Sequence, residues 1–184
     1  MNDSAPGTAR LFLGLSVPEK AKTAIRHAAK HYKEYINQPV AEESWHITLL
    51  FLGNVENHKQ YVNRLIKPLS LSFVPTVSLT HVGRGFQRDQ LWAYAAATPA
   101  LSGLIAELEK RIKAMRMQYE GGDDHGEYTP HIRVATLLDV TRGIGLPDGA
   151  ARSTFAPSEI YLYRSHQTEA GVHYTVEATI PLTT

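Results

Sequence analysis

No cysteine occurs among the 184 residues of this chain, which excludes disulfides and thiolate metal sites. That absence points to a reducing compartment, so the expected location is the cytoplasm. Charge of one sign is not in excess either. Nineteen Lys and Arg stand against 18 Asp and Glu, for a formal net charge of +1 with histidine neutral and a sequence pI of about 8.0. Proteins that coat duplex nucleic acid carry a stronger basic bias, but contact with one or two phosphates at a nucleic-acid end needs none. No apolar run approaches the roughly 20 residues that span a bilayer. The segment Met1 to Arg10 lacks a basic stretch followed by an apolar one, so no signal peptide is expected. Low-complexity tracts and linkers are missing too.

What is present suits a single domain of residues 1–184, with 43% hydrophobic and 20% charged residues. Leu11 to Val17 reads as a buried strand, and Pro18 opens a helix whose apolar positions run to Ile36 before Asn37 to Pro39 end it. His46 to Leu52 is a strand stopped by Gly53-Asn54, and Tyr61 to Leu69 a short helix. Strands near Val77 to Val82 and Leu91 to Ala97 precede the clearest helical stripe, Leu101 to Met115. A strand at His131 to Leu137, a Gly-rich loop at Thr141 to Ala151 and a hairpin of Ile160 to Ser165 with His173 to Pro181 complete an α+β pattern. The two histidine-led strands each follow a helix and a loop, a weak internal duplication.

Those strands carry the chemistry. His46-Ile47-Thr48-Leu49-Leu50-Phe51 and His131-Ile132-Arg133-Val134-Ala135-Thr136 are both apolar strands that start with histidine. Side chains two apart on a strand share a face. His46 therefore goes with Thr48 and His131 with Arg133, while Ile47, Leu49, Ile132 and Val134 face a core. If the strands lie side by side, two imidazoles, a hydroxyl and a guanidinium converge on one groove. That set suits a phosphoryl group attacked on one side and leaving on the other. Near pH 7 a neutral imidazole serves as base and an imidazolium as acid, with Thr48 and Arg133 on the equatorial oxygens. Such chemistry calls for no metal and no cofactor. One histidine at a strand start is more often a packed residue than a catalytic one; two matched strands shift that balance.

These strands resemble the signatures of the 2H phosphoesterases, and within them the bacterial and archaeal RNA 2′,3′-cyclic phosphodiesterases, also called 2′-5′ RNA ligases. The resemblance covers nearly the whole chain. Arg10-Leu11-Phe12-Leu13-Gly14-Leu15 is similar to the family's opening strand, His46 to Gly53 to its first signature, Thr129-Pro130-His131-Ile132 to the start of its second, and Ile160 to Ser165 with His173-Tyr174 to its closing hairpin. It implies two similar α+β lobes with antiparallel sheets around a central cleft and helices outside. It implies His46 as proton donor to the leaving 3′ oxygen, His131 as the base that activates water, and Phe51 as a base-stacking ring. The implied partner is RNA with a 2′,3′-cyclic phosphate end, tRNA fragments among the candidates, or a cyclic nucleotide; the protein is expected to be a monomer. The chain departs from the family at one point: Thr or Ser usually sits two residues after the second histidine and Arg five after it, whereas here Arg133 and Thr136 are exchanged. Two other readings remain open, a branch acting on another cyclic nucleotide or on ADP-ribose cyclic phosphate, and an RNA-end-binding protein with weakened catalysis.

Other residues carry blander readings beside functional ones. His27 and His31, four apart, could chelate a metal on a helix face, but no carboxylate joins them and solvated surface histidines are the simpler account. Asp123-Asp124-His125 resembles a ligand cluster but lies in a Gly-rich loop. Arg84 and Arg88 flank glycines in a turn; with Thr136, Arg84 is a candidate substrate contact, and both arginines also read as surface charges. Gly83-x-Gly85 is too short for a dinucleotide motif. Trp45 and Trp92 read as core.

Overall fold

The computed structural model describes residues 8–86, 89–117, 128–139, 145–168 and 171–184. Its elements are β1 (Thr8–Ser16), α1 (Glu19–Ala29) running on into a 3-10 stretch (Lys30–Tyr35), β2 (Ile36–Pro39), β3 (His46–Glu56), α2 (Lys59–Leu65), β4 (Leu69–Ser70), β5 (Val77–Arg84), β6 (Gln90–Ala95), α3 (Pro99–Ala114), β7 (His131–Leu137), β8 (Gly149–Phe155), β9 (Glu159–Thr168) and β10 (Gly171–Thr183). They form two five-stranded sheets, in the orders β3-β1-β9-β10-β4 and β2-β7-β6-β5-β8. Pairing is antiparallel except for the two-residue match of β4 with β10.

Two of the helices, α1 and α3, join the two sheets. α1 follows a strand of the first sheet but packs Ala21, Ile25 and Ala28 inward over β5 and β8 of the second. α3 follows β6 of the second sheet and packs on β3 of the first, burying Leu101, Leu104, Leu108 and Ile112. Thr98 starts α3 by accepting a hydrogen bond from the Leu101 amide, and Pro99 fills the first turn, where its missing N–H costs nothing. The buried apolar residues of both sheets belong to one continuous cluster. β1 is buried along almost its whole length because β3 and β9 flank it. At Gly14 a Cβ would stand 2.9 Å from the Ile47 carbonyl oxygen, so only glycine lets β1 lie this close to the start of β3.

Several boundaries differ from the sequence reading. β3 does not stop at Gly53-Asn54: Gly53 takes a positive φ of 70° and the strand continues to Glu56. β8 begins inside the segment expected to be a loop, of which residues 141–144 lie outside the described ones. Its sequence GAARSTF alternates small buried residues with exposed ones and lacks the bulky apolar side chains that signal a strand. β2 uses the residues read as the end of a helix. α1 ends at Ala29, before His31, so His27 and His31 do not share a regular helix face; both are exposed.

One irregularity positions the site. Gly14 faces Thr48 whereas Leu13 faces Leu50, which makes Leu49 an extra residue in β3. Trp92 faces Arg133 whereas Leu91 faces Ala135, which makes Val134 an extra residue in β7. In both strands the bulge falls on the third residue after the histidine, and it resets the alternation. Phe51 and Thr136 thereby return to the side of their histidines, each half-buried between two buried neighbours.

Tyr32, in the 3-10 stretch after α1, ties this frame together. Its hydroxyl shares its one proton between the carbonyls of Val82, at 2.7 Å, and Pro147, and accepts from the Gly149 amide at 2.9 Å. Tyr32→Phe should cost about 1–3 kcal/mol, because partners of a lost buried hydroxyl stay desolvated. Urea denaturation checks this, and an unchanged midpoint would show that those groups find other partners.

Candidate active site

A cleft of about 730 Å³ is lined by residues of both sheets. The first sheet contributes Arg10 and Phe12 of β1, His46, Thr48, Phe51 and Asn54 of β3, Ser165 and Gln167 of β9, and Val172 and Tyr174 of β10; the second contributes Gln90 of β6 with His131 and Arg133 of β7. The histidine strands are therefore not hydrogen-bonded neighbours, as side-by-side placement would require. They belong to different sheets and meet across the cleft. Tyr128, just ahead of β7, donates its hydroxyl to the Thr48 carbonyl at 2.8 Å and so links the two strands.

The imidazoles are held alike. Nδ1 of His46 donates to the Ser44 carbonyl at 2.7 Å, and Nδ1 of His131 to the Thr129 carbonyl at 2.8 Å. Each acceptor lies two residues before its histidine. With Nδ1 committed to a carbonyl, proton exchange in the cleft falls to Nε2 in both rings.

Their surroundings differ. His46 is enclosed by Phe12, Tyr174 and Tyr163, with ring centroids 4.6, 4.9 and 5.4 Å away. This burial disfavours the imidazolium and lowers the pKa of His46 to about 4, helped by His131 and opposed by the Ser44 carbonyl. His131 instead stacks on Trp92 at 3.6 Å, nearly parallel at 13°. The indole donates to Gln90 Oε1 at 2.8 Å, and a Cβ on Gly85 would fall 2.5 Å from its ring. Only a glycine there leaves room for the indole that supports His131.

The cleft collects His46, Thr48, Phe51, His131 and Arg133 from among the expected residues. Arg133 shares a side with His131, and its Nη2 donates to Thr136 Oγ1 at 3.1 Å. Thr136 is not itself in the cleft lining; it acts on Arg133. Arg84 lies at the end of β5, outside the lining, where its carbonyl accepts from the Tyr94 hydroxyl. Arg88 and Asp123-Asp124-His125 fall outside the described residues. Among those described, no three His, Asp or Glu side chains are grouped to hold a metal ion. Trp45 is core, as expected; Trp92 is buried too, but it also stacks on a cleft histidine. Sequence reasoning missed Arg10 and Tyr174 as cleft residues. The alternation Arg10-x-Phe12 was a usable signal, because it puts a cation and an aromatic ring on one face of the opening strand.

No family model matches the sequence. The chain is similar to the RNA 2′,3′-cyclic phosphodiesterase of Escherichia coli (strain K12), with 25% identity over 167 residues, 90% of this chain and 92% of that protein. It is similar to the RNA 2′,3′-cyclic phosphodiesterase of Methanocaldococcus jannaschii, with 26% identity over 177 residues, 91% of this chain and 97% of that one. Among solved structures, Escherichia coli LigT complexed with 3′-AMP superposes with a TM-score of 0.71 at 25% identity, covering 96% of this chain and 99% of that one. A crystal structure described as a phosphoesterase gives a TM-score of 0.75 at 23% identity, with the same coverages, and shares the fold.

The buried His46 has a consequence for stability. Its folded pKa of about 4 lies below the ordinary histidine value, so between about pH 6.5 and 4 the unfolded chain binds a proton that the folded one refuses. Stability should fall as pH drops through that window, by at most about 3 kcal/mol from this group. Urea midpoints at pH 7 and pH 5 should differ less for His46→Gln than for the parent. Equal differences would mean that His46 titrates normally.

Proposed function

We propose that the chain is a 2H phosphoesterase related to the RNA 2′,3′-cyclic phosphodiesterases and that it hydrolyses the 2′,3′-cyclic phosphate at an RNA end to a 2′-phosphate, without a metal. The observation that carries this reading is the matched pair of imidazoles, each with Nδ1 tied to the carbonyl two residues before it, facing one cleft from different sheets. That Escherichia coli LigT has been solved with 3′-AMP supports a nucleotide ligand.

In this reading Nε2 of His131 takes a proton from water, whose oxygen attacks phosphorus. The bond from phosphorus to O3′ breaks, and Nε2 of His46 delivers a proton to that oxygen. His131 leaves the cycle protonated and His46 neutral, and exchange with solvent resets both. Burial keeps His46 neutral in the empty cleft, so the donor role needs the diester's negative charge beside the ring to raise its proton affinity on binding. The Thr48 hydroxyl and the Arg133 guanidinium hold the non-bridging oxygens, and Phe51 stacks on the base. A 5′-hydroxyl in place of water gives a 2′-5′ linkage by the same steps.

The bulge in β7 supports a reading of the exchanged pair. Positions 133 and 136 lie on one side of the strand and are hydrogen-bonded to each other, so in this reading a guanidinium at either position reaches the phosphate with the hydroxyl of the other to steady it.

His46→Ala and His131→Ala should each lower turnover of a cyclic-phosphate RNA by about 10²-fold or more, and EDTA should leave the parent's rate unchanged. Near-native turnover in either variant would remove that histidine from the mechanism, and loss in chelator restored by a divalent ion would replace it with metal chemistry. A second series tests the exchange. Arg133→Thr alone should weaken binding of a 2′-phosphate product, and adding Thr136→Arg should recover it. Failure of the double variant to bind better than the single one would mean the two positions are not equivalent.

A further inference from the structure

The cleft holds a second arginine that the proposed reaction does not use. Arg10 faces Asn54 of β3 on one side and Ser165 of β9 on the other. All three line the cleft. Arg10 is exposed, and no carboxylate pairs with it among the described residues. An unpaired cation on a cleft floor keeps its charge available for an anion.

The register places it. Gly14 sits opposite Thr48, and Phe12 opposite Phe51. Arg10 is thus one row beyond the aromatic row and two beyond Thr48, about 13 Å along β1 at the usual strand rise. A guanidinium reaches several ångströms back over that span, past the ring proposed to carry the base. Burial pushes the Tyr174 hydroxyl up from its ordinary pKa, against the opposing pull of Arg133 from the other sheet and Arg10 from its own, so both cations act on this one hydroxyl. Ser165 and Gln167 add neutral hydrogen-bonding groups beside Arg10, so the floor is polar where it leaves the histidines.

We infer that Arg10, with Ser165 and Tyr174 beside it, forms a second anion subsite that takes the 5′-side phosphate of the nucleotide whose cyclic phosphate lies between His46 and His131. This rests on the proposed function. It makes the cleft a two-phosphate site, selective for an RNA end or a 5′-phosphorylated nucleotide over a nucleoside cyclic phosphate that lacks the upstream group.

Binding of two products separates this subsite from the chemistry. Adenosine 2′-monophosphate and adenosine 2′,5′-bisphosphate are titrated calorimetrically into the parent protein, Arg10→Gln and Arg10→Lys, with thermal unfolding as a check on folding. Hydrolysis of a cyclic-phosphate RNA is measured in parallel. The parent should bind the bisphosphate about tenfold more tightly, the scale of one charge-assisted hydrogen bond. The ratio should fall to within about twofold in Arg10→Gln and be partly kept in Arg10→Lys. Equal affinities in the parent, or a preference that survives in Arg10→Gln, overturn the subsite. A preference that depends on Arg10 without any hydrolysis leaves the subsite standing and overturns the enzymatic reading. Failure to bind either nucleotide overturns both.

Discussion

Both histidine strands carry a surplus residue at the same place, three positions after the histidine, and β3 carries a second one at Leu52. A regular strand would turn the fifth following side chain toward the opposite face. The bulge reverses that and puts positions 0, +2 and +5 on one side. From this follow the place of Phe51 in the same cleft lining as His46 and Thr48, and the hydrogen bond of Arg133 to Thr136. The halves of the site are also alike ahead of the bulges, where a carbonyl two residues before each histidine fixes its Nδ1.

The copies differ in what surrounds the rings, and the difference is chemical. Three aromatic rings enclose His46 and hold it neutral, while His131 lies against the face of a single indole. In the empty cleft this asymmetry disfavours a proton on His46, so its proposed part as donor depends on an anion bound beside the ring. The fold supplies this asymmetry through small residues as well as large ones. Gly14 lets β1 close on the start of β3, and Gly85 leaves the space that Trp92 fills.

Much of this was legible in the sequence. The histidine strands, both long helices and the closing hairpin could be read from alternation, helical stripes and turn residues. Ile47, Leu49, Ile132 and Val134 are buried, as the alternation required. What was not legible has physical reasons. β8 is built of small residues whose pairing with β5 is decided by tertiary context. A bulge has no composition of its own, so the link between positions 133 and 136 was invisible, and the sequence showed the exchange of Arg and Thr there only as a departure from the family pattern. Placement in different sheets could not be deduced from two strands of similar sequence. Tyr174 becomes a cleft residue only once β1, β9 and β10 are seen side by side.

The central claim is that two imidazoles facing one cleft add water across a cyclic phosphate and release the 3′ oxygen. The most direct measurement is mass spectrometry and phosphorus NMR of a short RNA with a 2′,3′-cyclic end, incubated with the protein in ¹⁸O-labelled water. The account predicts a gain of one water, one labelled oxygen on phosphorus, and a 2′-phosphate with a free 3′-hydroxyl. A 3′-phosphate product, or a cyclic end that persists unchanged, would contradict it.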